Sequence, residues 1–496
     1  MTYPIYHNLI GGQWLPAASG KTILNLNPAD HSDVIGAFPS SHAEDVAMAV
    51  AAARKAFAAW RLIPAPKRAE VLFRAGTLLQ QRKEQYARDM TREMGKVLAE
   101  TRGDVQEAID EAFYVAGEGR RLFGVTTPSE LQDKFAMSVR MPVGVVGLIT
   151  PWNFPMAIPS WKLFPALVAG NTCIIKPATD TPLSTYNLVQ ALIDAGLPPG
   201  VVNIVCGTGS TAGAALVEHP DVRAISFTGS SAVGSHVAQR AAATFKQVSL
   251  EMGGKNAQIV LNDANLDLAL DGALWGAFGT TGQRCTATSR ILLQKGIAAE
   301  FTARFVARAK KLKIGNGLDE SVEVGPQVNA NQIETSARYV DLAMKEGVQL
   351  LCGGHALTQA AYAHGTFFEP TVLAGVMPSM RIAREEVFGP VVALIEFATF
   401  EEAVEIANSI DYGLSTSVYT RDVNRAFAAI RDLEAGITYI NAPTIGAEVH
   451  LPFGGVKHTG NGHREGLGAL DFFTTWKAVY VDFSDKLQRA QIDNAE

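Results

Sequence analysis

Between residues 143 and 251 the chain repeats one pattern: a short apolar run, a turn bearing glycine or polar residues, then a helix-like stretch. The apolar runs fall at 143–149, 173–176, 201–205, 224–227 and 248–251. Helix-like segments at 184–195, 210–218 and 231–242 lie between them. Strands in strict alternation with helices imply a parallel sheet covered on both faces. Uninterrupted apolar strands fit that burial better than alternating ones do. A second α/β series begins near Lys255, with strand-like runs at 258–261, 291–293 and 391–394 and helix-like stretches at 266–281, 298–311 and 400–409. Ahead of both series, residues 7–40 read as short strands, including a hairpin around Gly11 and Gly12. Ser41-His42-Ala43-Glu44 has capping-box spacing. It opens a helix to about Trp60 with Val46, Val50, Ala53 and Phe57 on one face. Two further helices are expected over 66–92 and 96–122. Asp104, Glu107, Asp110 and Glu111 of the second read as a solvated face.

A chain of 496 residues corresponds to about three domain-sized pieces. With 47% hydrophobic and 19% charged residues it can bury large cores without metal or disulfide staples. The net charge of −6 argues against nucleic-acid binding and against attraction to anionic membranes. No apolar run approaches the ~20 residues of a membrane span. The N-terminus lacks the basic and apolar regions of a secretory signal. The four cysteines, Cys173, Cys206, Cys285 and Cys352, form no Cys-x-x-Cys pair, so neither a metal site nor a disulfide framework is expected. A cytoplasmic protein keeping a reactive thiol fits this usage.

In open α/β sheets ligands bind beyond the carboxyl ends of the strands, so the turns after strands matter most. Thr150-Pro151-Trp152-Asn153-Phe154-Pro155 is one such turn. Asn153 is either an amide donor for an oxyanion or a turn residue held between prolines. Phe227-Thr228-Gly229-Ser230 leads into a helix whose N-terminal amides favour phosphate; alternatively it is only a turn, since it lacks the G-x-G-x-x-G spacing. Gly207-Thr208-Gly209 has the same ambiguity. Gly282-Gln283-Arg284-Cys285-Thr286 presents a thiol after a small-residue stretch. A thiol of pKa ~8.5 needs a base or a positive neighbour to act. The other three cysteines read as small core residues. Glu251, at a strand end before Gly253 and Gly254, is a candidate general base. Glu385-Glu386 precede a turn at Phe388-Gly389-Pro390 and are either functional or solvated. The ten histidines, His450, His458 and His463 among them, form no His-Glu-x-x-His set.

Taken together, these segments resemble the NAD(P)-dependent aldehyde dehydrogenase superfamily over essentially the whole chain. The resemblance rests on Pro151-Trp152-Asn153-Phe154-Pro155, Lys176-Pro177-Ala178, Phe227-Thr228-Gly229-Ser230, Leu250-Glu251-Met252-Gly253-Gly254-Lys255, Gly282-Gln283-Arg284-Cys285, Glu386-Val387-Phe388-Gly389-Pro390 and Pro452-Phe453-Gly454-Gly455, in that order. It implies a Rossmann-like cofactor domain (1–126 and 144–254), a catalytic α/β domain (255–460) and a small β oligomerisation element with a C-terminal tail (127–143 and 461–496). In that element a hairpin joins a strand near 476–483. Cys285 is implied as the nucleophile, Asn153 and the Cys285 N–H as oxyanion donors, and Glu251 as the base that activates water. Relatives that transfer the acyl group to coenzyme A lack this glutamate, which favours water here. Cofactor contacts are implied at Thr150, Pro151, Trp152, Lys176, Ala178, Thr179, Gly229, Ser230, Glu386 and Phe388. Lys176 is expected on the adenosine ribose, Ser230 on a phosphate, and Glu386 on the nicotinamide ribose.

Substrate contacts are implied at Phe154, Trp161, Arg284, Thr286, Ile445, Gly446, Ala447 and Phe453. Arg284 and the 441–448 loop resemble the α-ketoglutaric and α-aminoadipic semialdehyde dehydrogenase branches. A guanidinium there can hold a distant carboxylate, so the expected substrate is the semialdehyde of a small carboxylic acid. A broad aliphatic or aromatic aldehyde dehydrogenase is the alternative, with Arg284 facing outward. A catalytically inactive relative would lack Cys285, Glu251 or Asn153, and all three are present. Some NAD-preferring members carry Glu three residues after the ribose lysine, where Thr179 stands here, so both NAD⁺ and NADP⁺ remain open. A homodimer or homotetramer is expected.

Overall fold

The computed structural model describes residues 3–462 and 466–493. Parts of the expected C-terminal segment, 463–465 with His463 and 494–496, lie outside the described residues.

The β/α repeat folds into a seven-stranded sheet in the order Gln247–Glu251, Val222–Thr228, Val145–Ile149, Thr172–Lys176, Val202–Ile204, Asn8–Ile10, Gln13–Leu15. The five strands of the repeat are parallel. The N-terminal hairpin caps their edge antiparallel, with Leu9 opposite Ile204. A second seven-stranded sheet runs Gln349–Cys352, Thr371–Ala374, Val391–Phe397, Thr288–Gln294, Asn256–Val260, Ser415–Tyr419, Ile437–Ile440. Only its first strand is antiparallel. The chain therefore has two parallel-sheet α/β units, as the alternation of strands and helices implies. A three-stranded antiparallel sheet joins Val125–Pro128 and Lys134–Pro142 to Thr474–Asp482.

Only four residues, Met252 to Lys255, separate the last strand of the first sheet from a central strand of the second. The carboxyl end of one sheet is thereby held against the other.

Two local expectations need correction. His42, rather than Ser41, caps the first helix, Ala43–Trp60. The Asp45 carboxylate accepts from the His42 N–H (3.0 Å) and also from Ala18 N–H (2.8 Å), while the Ser41 hydroxyl accepts from Asn8 Nδ2 (2.8 Å). The second concerns the acidic helix, Leu98–Glu118: Asp104 and Glu111 on it are buried rather than solvated. This helix packs against the preceding helix, Ala65–Met94, and against Ala157–Ala169, whose residues are all buried, so part of its acidic stripe is enclosed. Asp104 repays that burial. Its Oδ1 accepts from the N–H of Ala157 (2.7 Å), the first residue of that buried helix, and its Oδ2 accepts from Lys96 Nζ (2.6 Å). Both side chains of the ion pair are fully inaccessible.

Removing one partner of a fully buried pair strands the other charge. Lys96→Met should therefore destabilise the protein by about 3–5 kcal/mol, read as a lowered urea midpoint at an unchanged slope.

Candidate active site

The carboxyl ends of the first sheet and the loops of the second converge at the four-residue connection. Glu251, the last residue of its strand, is buried, and its carbonyl accepts from Gly229 N–H (3.1 Å). Gly253 and Gly254 admit a close approach. A Cβ at Gly253 would lie 2.1 Å from Glu386 Oε2, and one at Gly254 would lie 2.6 Å from the Cys285 carbonyl oxygen. Glu386 Oε1 accepts from Gly254 N–H (3.0 Å).

Cys285 is half-buried at the end of a tight loop. Helix Leu266–Phe278 runs into a turn, Gly279–Gly282, where Thr280 (φ 53°) and Thr281 (φ 57°) adopt the left-handed region. That conformation costs a β-branched residue about 1–2 kcal/mol. Several contacts hold it. Glu100 Oε1 accepts from Thr280 N–H (2.7 Å), Thr281 Oγ1 donates to Gly325 O (2.9 Å), and Gln283 Oε1 accepts from Val328 N–H (3.0 Å). Asn256 Nδ2 then donates to the carbonyls of Cys285 (2.7 Å) and Ala287 (2.9 Å). The buried Asn153 donates from Nδ2 to the Gln283 carbonyl (3.1 Å), two residues before the thiol. Asn153 is thus tied to the loop that carries Cys285, and its amide nitrogen has a second N–H to offer.

Phe388, at φ 59°, sets its ring edge-on to Trp152, with centroids 5.3 Å apart. Trp161 and Phe453 pack at 5.7 Å, both buried, with Phe154 at the edge of the Trp161 cluster. Thr286 and Ile445 are buried, and the Thr286 carbonyl accepts from Thr444 Oγ1 (2.7 Å), tying the 441–448 loop to the thiol loop. Gly446 and Ala447 are exposed, and a Cβ on Gly446 would meet only open space.

Arg284 is largely enclosed. Its Nε donates to Thr280 Oγ1 (2.8 Å) and its Nη2 meets Glu100 Oε1 at 3.4 Å. The guanidinium lies 5.1 Å from the Phe154 ring centre and 5.8 Å from that of Trp275. Lys96 Nζ lies 4.0 Å from the centre of the Phe154 ring as well. Sequence reading overlooked Glu100, Lys96 and Trp275, because none belongs to a motif and Glu100 sits at the start of the acidic helix.

At the first sheet's carboxyl end, Lys176 Nζ is buried and donates to the carbonyls of Pro177 (2.8 Å) and Gly207 (3.2 Å). Burial pulls its pKa down to about 8. Ala178 and Thr179 follow, half-buried, while Pro151 is half-buried in the neighbouring turn. The hydroxyls of Thr150 and Thr228 are buried without a hydrogen-bond partner among the described residues. Ser230 stands before the twelve-residue helix Ser231–Ala242 without capping it, leaving N-terminal amides for an anion. A buried cation, two unpartnered hydroxyls and an uncapped helix start suit a phosphate- and ribose-bearing cofactor.

Burial raises the Glu386 carboxyl to about 7, against the opposing pull of Lys255. From its ordinary value of 4.5 up to about 7, the folded chain keeps a proton that the unfolded chain releases, so stability falls as pH rises through that window. Denaturant midpoints of wild type and Glu386→Gln between pH 4.5 and 8 check this. Wild type should lose stability relative to the variant up to about pH 7 and hold level above it.

Residues 14–479 match the model of the aldehyde dehydrogenase family. The chain is 44% identical to an alpha-ketoglutaric semialdehyde dehydrogenase of Bacillus subtilis, covering 96% of this chain and 98% of that protein. It is 43% identical to an alpha-ketoglutarate semialdehyde dehydrogenase of Haloferax volcanii, covering 96% and 99%. The crystal structure of PnpE in complex with nicotinamide adenine dinucleotide superimposes with a TM-score of 0.95 at 38% identity, covering 97% and 98%. The chain belongs to the aldehyde dehydrogenase family and is an NAD(P)-dependent oxidoreductase acting on an aldehyde.

Proposed function

We propose that the protein oxidises the semialdehyde of a small carboxylic acid, of the α-ketoglutaric semialdehyde type, to the corresponding dicarboxylic acid with NAD⁺ or NADP⁺. The observation that carries the chemistry is the hydrogen bond from Asn153 to the Gln283 carbonyl, two residues before Cys285, beside a connection that starts at Glu251 and admits Glu386. The Cys285 thiolate attacks the aldehyde carbon, and the C=O electron pair moves to oxygen. Asn153 Nδ2 and the Cys285 N–H stabilise that oxyanion, each donor contributing about 10²–10³-fold. A nicotinamide bound in the cleft would accept the hydride from the former aldehyde carbon as the oxyanion re-forms its C=O bond, which leaves a thioester on Cys285. Glu251 takes a proton from water as the water oxygen attacks the thioester. The C–S bond then breaks, releasing the acid and restoring the Cys285 thiolate.

Lys176 and Ser230 would hold the adenosine ribose and a phosphate, and Thr150, Pro151, Trp152, Ala178, Thr179 and Gly229 would line that half of the cleft. Glu386 would hold the nicotinamide ribose, with Phe388 packed near it. Thr179 carries no charge to repel a 2′-phosphate. Phe154, Trp161, Phe453, Thr286 and Ile445 form the aldehyde tunnel. Arg284 binds the distal carboxylate, and Gly446 and Ala447 close the outer end. The matches to the Bacillus subtilis and Haloferax volcanii semialdehyde dehydrogenases support this choice of substrate. The expected division places the cofactor domain at 1–126 and 144–254, the catalytic domain at 255–460, and the oligomerisation element with its tail at 127–143 and 461–496. The small sheet exposes Phe135, Trp476 and Tyr480, which suits assembly into a homodimer or homotetramer. Four free cysteines suit a reducing cytoplasm.

Initial rates over acid semialdehydes and uncharged aldehydes of equal length, with each cofactor, test the substrate. The acids should be preferred in kcat/KM, and Arg284→Met should raise their KM about tenfold or more. Equal rates for the two classes would overturn the acid reading. Glu251→Gln should keep a single burst of NAD(P)H while steady turnover falls about 10²–10⁴-fold. Loss of the burst itself would show that Glu251 acts before the thioester forms.

A further inference from the structure

We infer that Glu100 is a positioning residue that sets both the geometry of the thiol loop and the selectivity for carboxylate-bearing aldehydes. The selectivity half rests on the reading of Arg284 given above.

Glu100 and Arg284 approach from different parts of the fold, and their side chains are 11% and 12% exposed. One oxygen, Glu100 Oε1, meets two donors on the thiol loop: Thr280 N–H at 2.7 Å and Arg284 Nη2 at 3.4 Å. The first contact braces a left-handed threonine five residues before the nucleophile. The second gives Arg284 a resident counter-ion. Gly279 makes room for this arrangement, since a Cβ there would lie 3.1 Å from the same oxygen. The Phe154 and Trp275 rings lie beside the guanidinium, and Thr280 Oγ1 binds Nε. Nη1 has no hydrogen-bond partner among the described residues and is the arm left for a ligand.

A substrate carboxylate reaching Nη1 shares the guanidinium with Glu100, and the two negative charges repel. Glu100 therefore does two separable things. As a hydrogen-bond acceptor it holds the loop for every substrate. As a charge it weakens the grip on acids and on them alone. A glutamine keeps the acceptor and removes the charge, whereas an alanine removes both.

The test compares Glu100→Gln, Glu100→Ala and Arg284→Met on an acid semialdehyde and an uncharged aldehyde of equal length. Glu100→Gln should lower KM for the acid about three- to tenfold relative to the uncharged aldehyde, the size expected for one partly screened like-charge contact. Glu100→Ala should lower kcat about tenfold on both substrates and change the rate at which iodoacetamide alkylates Cys285, with glutamine restoring both. The inference is overturned if Glu100→Gln shifts the two substrates alike, or shifts neither. If Arg284→Met leaves acid preference intact, the Arg284 reading fails, and with it the selectivity half of the inference. If Arg284→Met abolishes that preference while Glu100→Gln leaves it unmoved, the Arg284 reading stands and the selectivity role of Glu100 falls.

Discussion

The close approach at Gly253 and Gly254 is the constraint on which the site depends. Neither position has room for a side chain, because the Glu386 carboxylate fills one space and the Cys285 carbonyl the other. The link between the sheets is only four residues long, so Glu251 cannot move independently of the strand that begins at Asn256. Asn256 in turn binds the carbonyls of Cys285 and Ala287. Glu251, Cys285 and Glu386 are therefore registered against one another through the backbone and one amide side chain. A β-methyl at either glycine would push the thiol loop or Glu386 out of this register.

Buried charge supplies the second layer of order. Lys96, Asp104, Glu100 and Arg284 form a linked group around the Phe154 ring, with Lys96 and Arg284 both in contact with its π system. Asp104 also meets the first amide of the buried helix that carries Trp161. Ion pairs without solvent around them add little net stability compared with apolar packing, but each breaks at high cost if one partner is lost. Their value here lies in direction: a charged hydrogen bond specifies where the ring, the helix and the guanidinium sit.

Much of the architecture was legible because hydrophobic period and element length are local properties. The five runs of the first sheet stand out as unbroken apolar segments and fold as parallel strands. The later part of the second sheet was harder to read. Helix Ala330–Lys345 has a largely exposed surface, and the strands Thr371–Ala374, Ser415–Tyr419 and Ile437–Ile440 are only four or five residues long and mix polar with apolar residues, so no unbroken apolar run marks them. The acidic helix shows the opposite failure. Asp104 and Glu111 look like solvated residues until another helix covers them, and nothing local announces that cover. The expected Ser41 cap fails for a similar reason: the Ser41 hydroxyl is engaged by Asn8, and the helix starts one residue later with Asp45 accepting from the His42 N–H.

By itself the sequence determined the alternation of strands and helices, the motif-bearing turns after the strands, and a thiol, a carboxylate and an amide of the right kinds for acyl chemistry. These follow from residue type and short-range order. Only the tertiary structure decided what surrounds them. It placed Glu100 against the thiol loop from 180 residues away, set the Phe154 and Trp275 rings beside Arg284, and left Gly446 and Ala447 in the open. Such contacts depend on which surfaces meet when the two sheets close on each other, and on which polar groups must find partners once water is excluded.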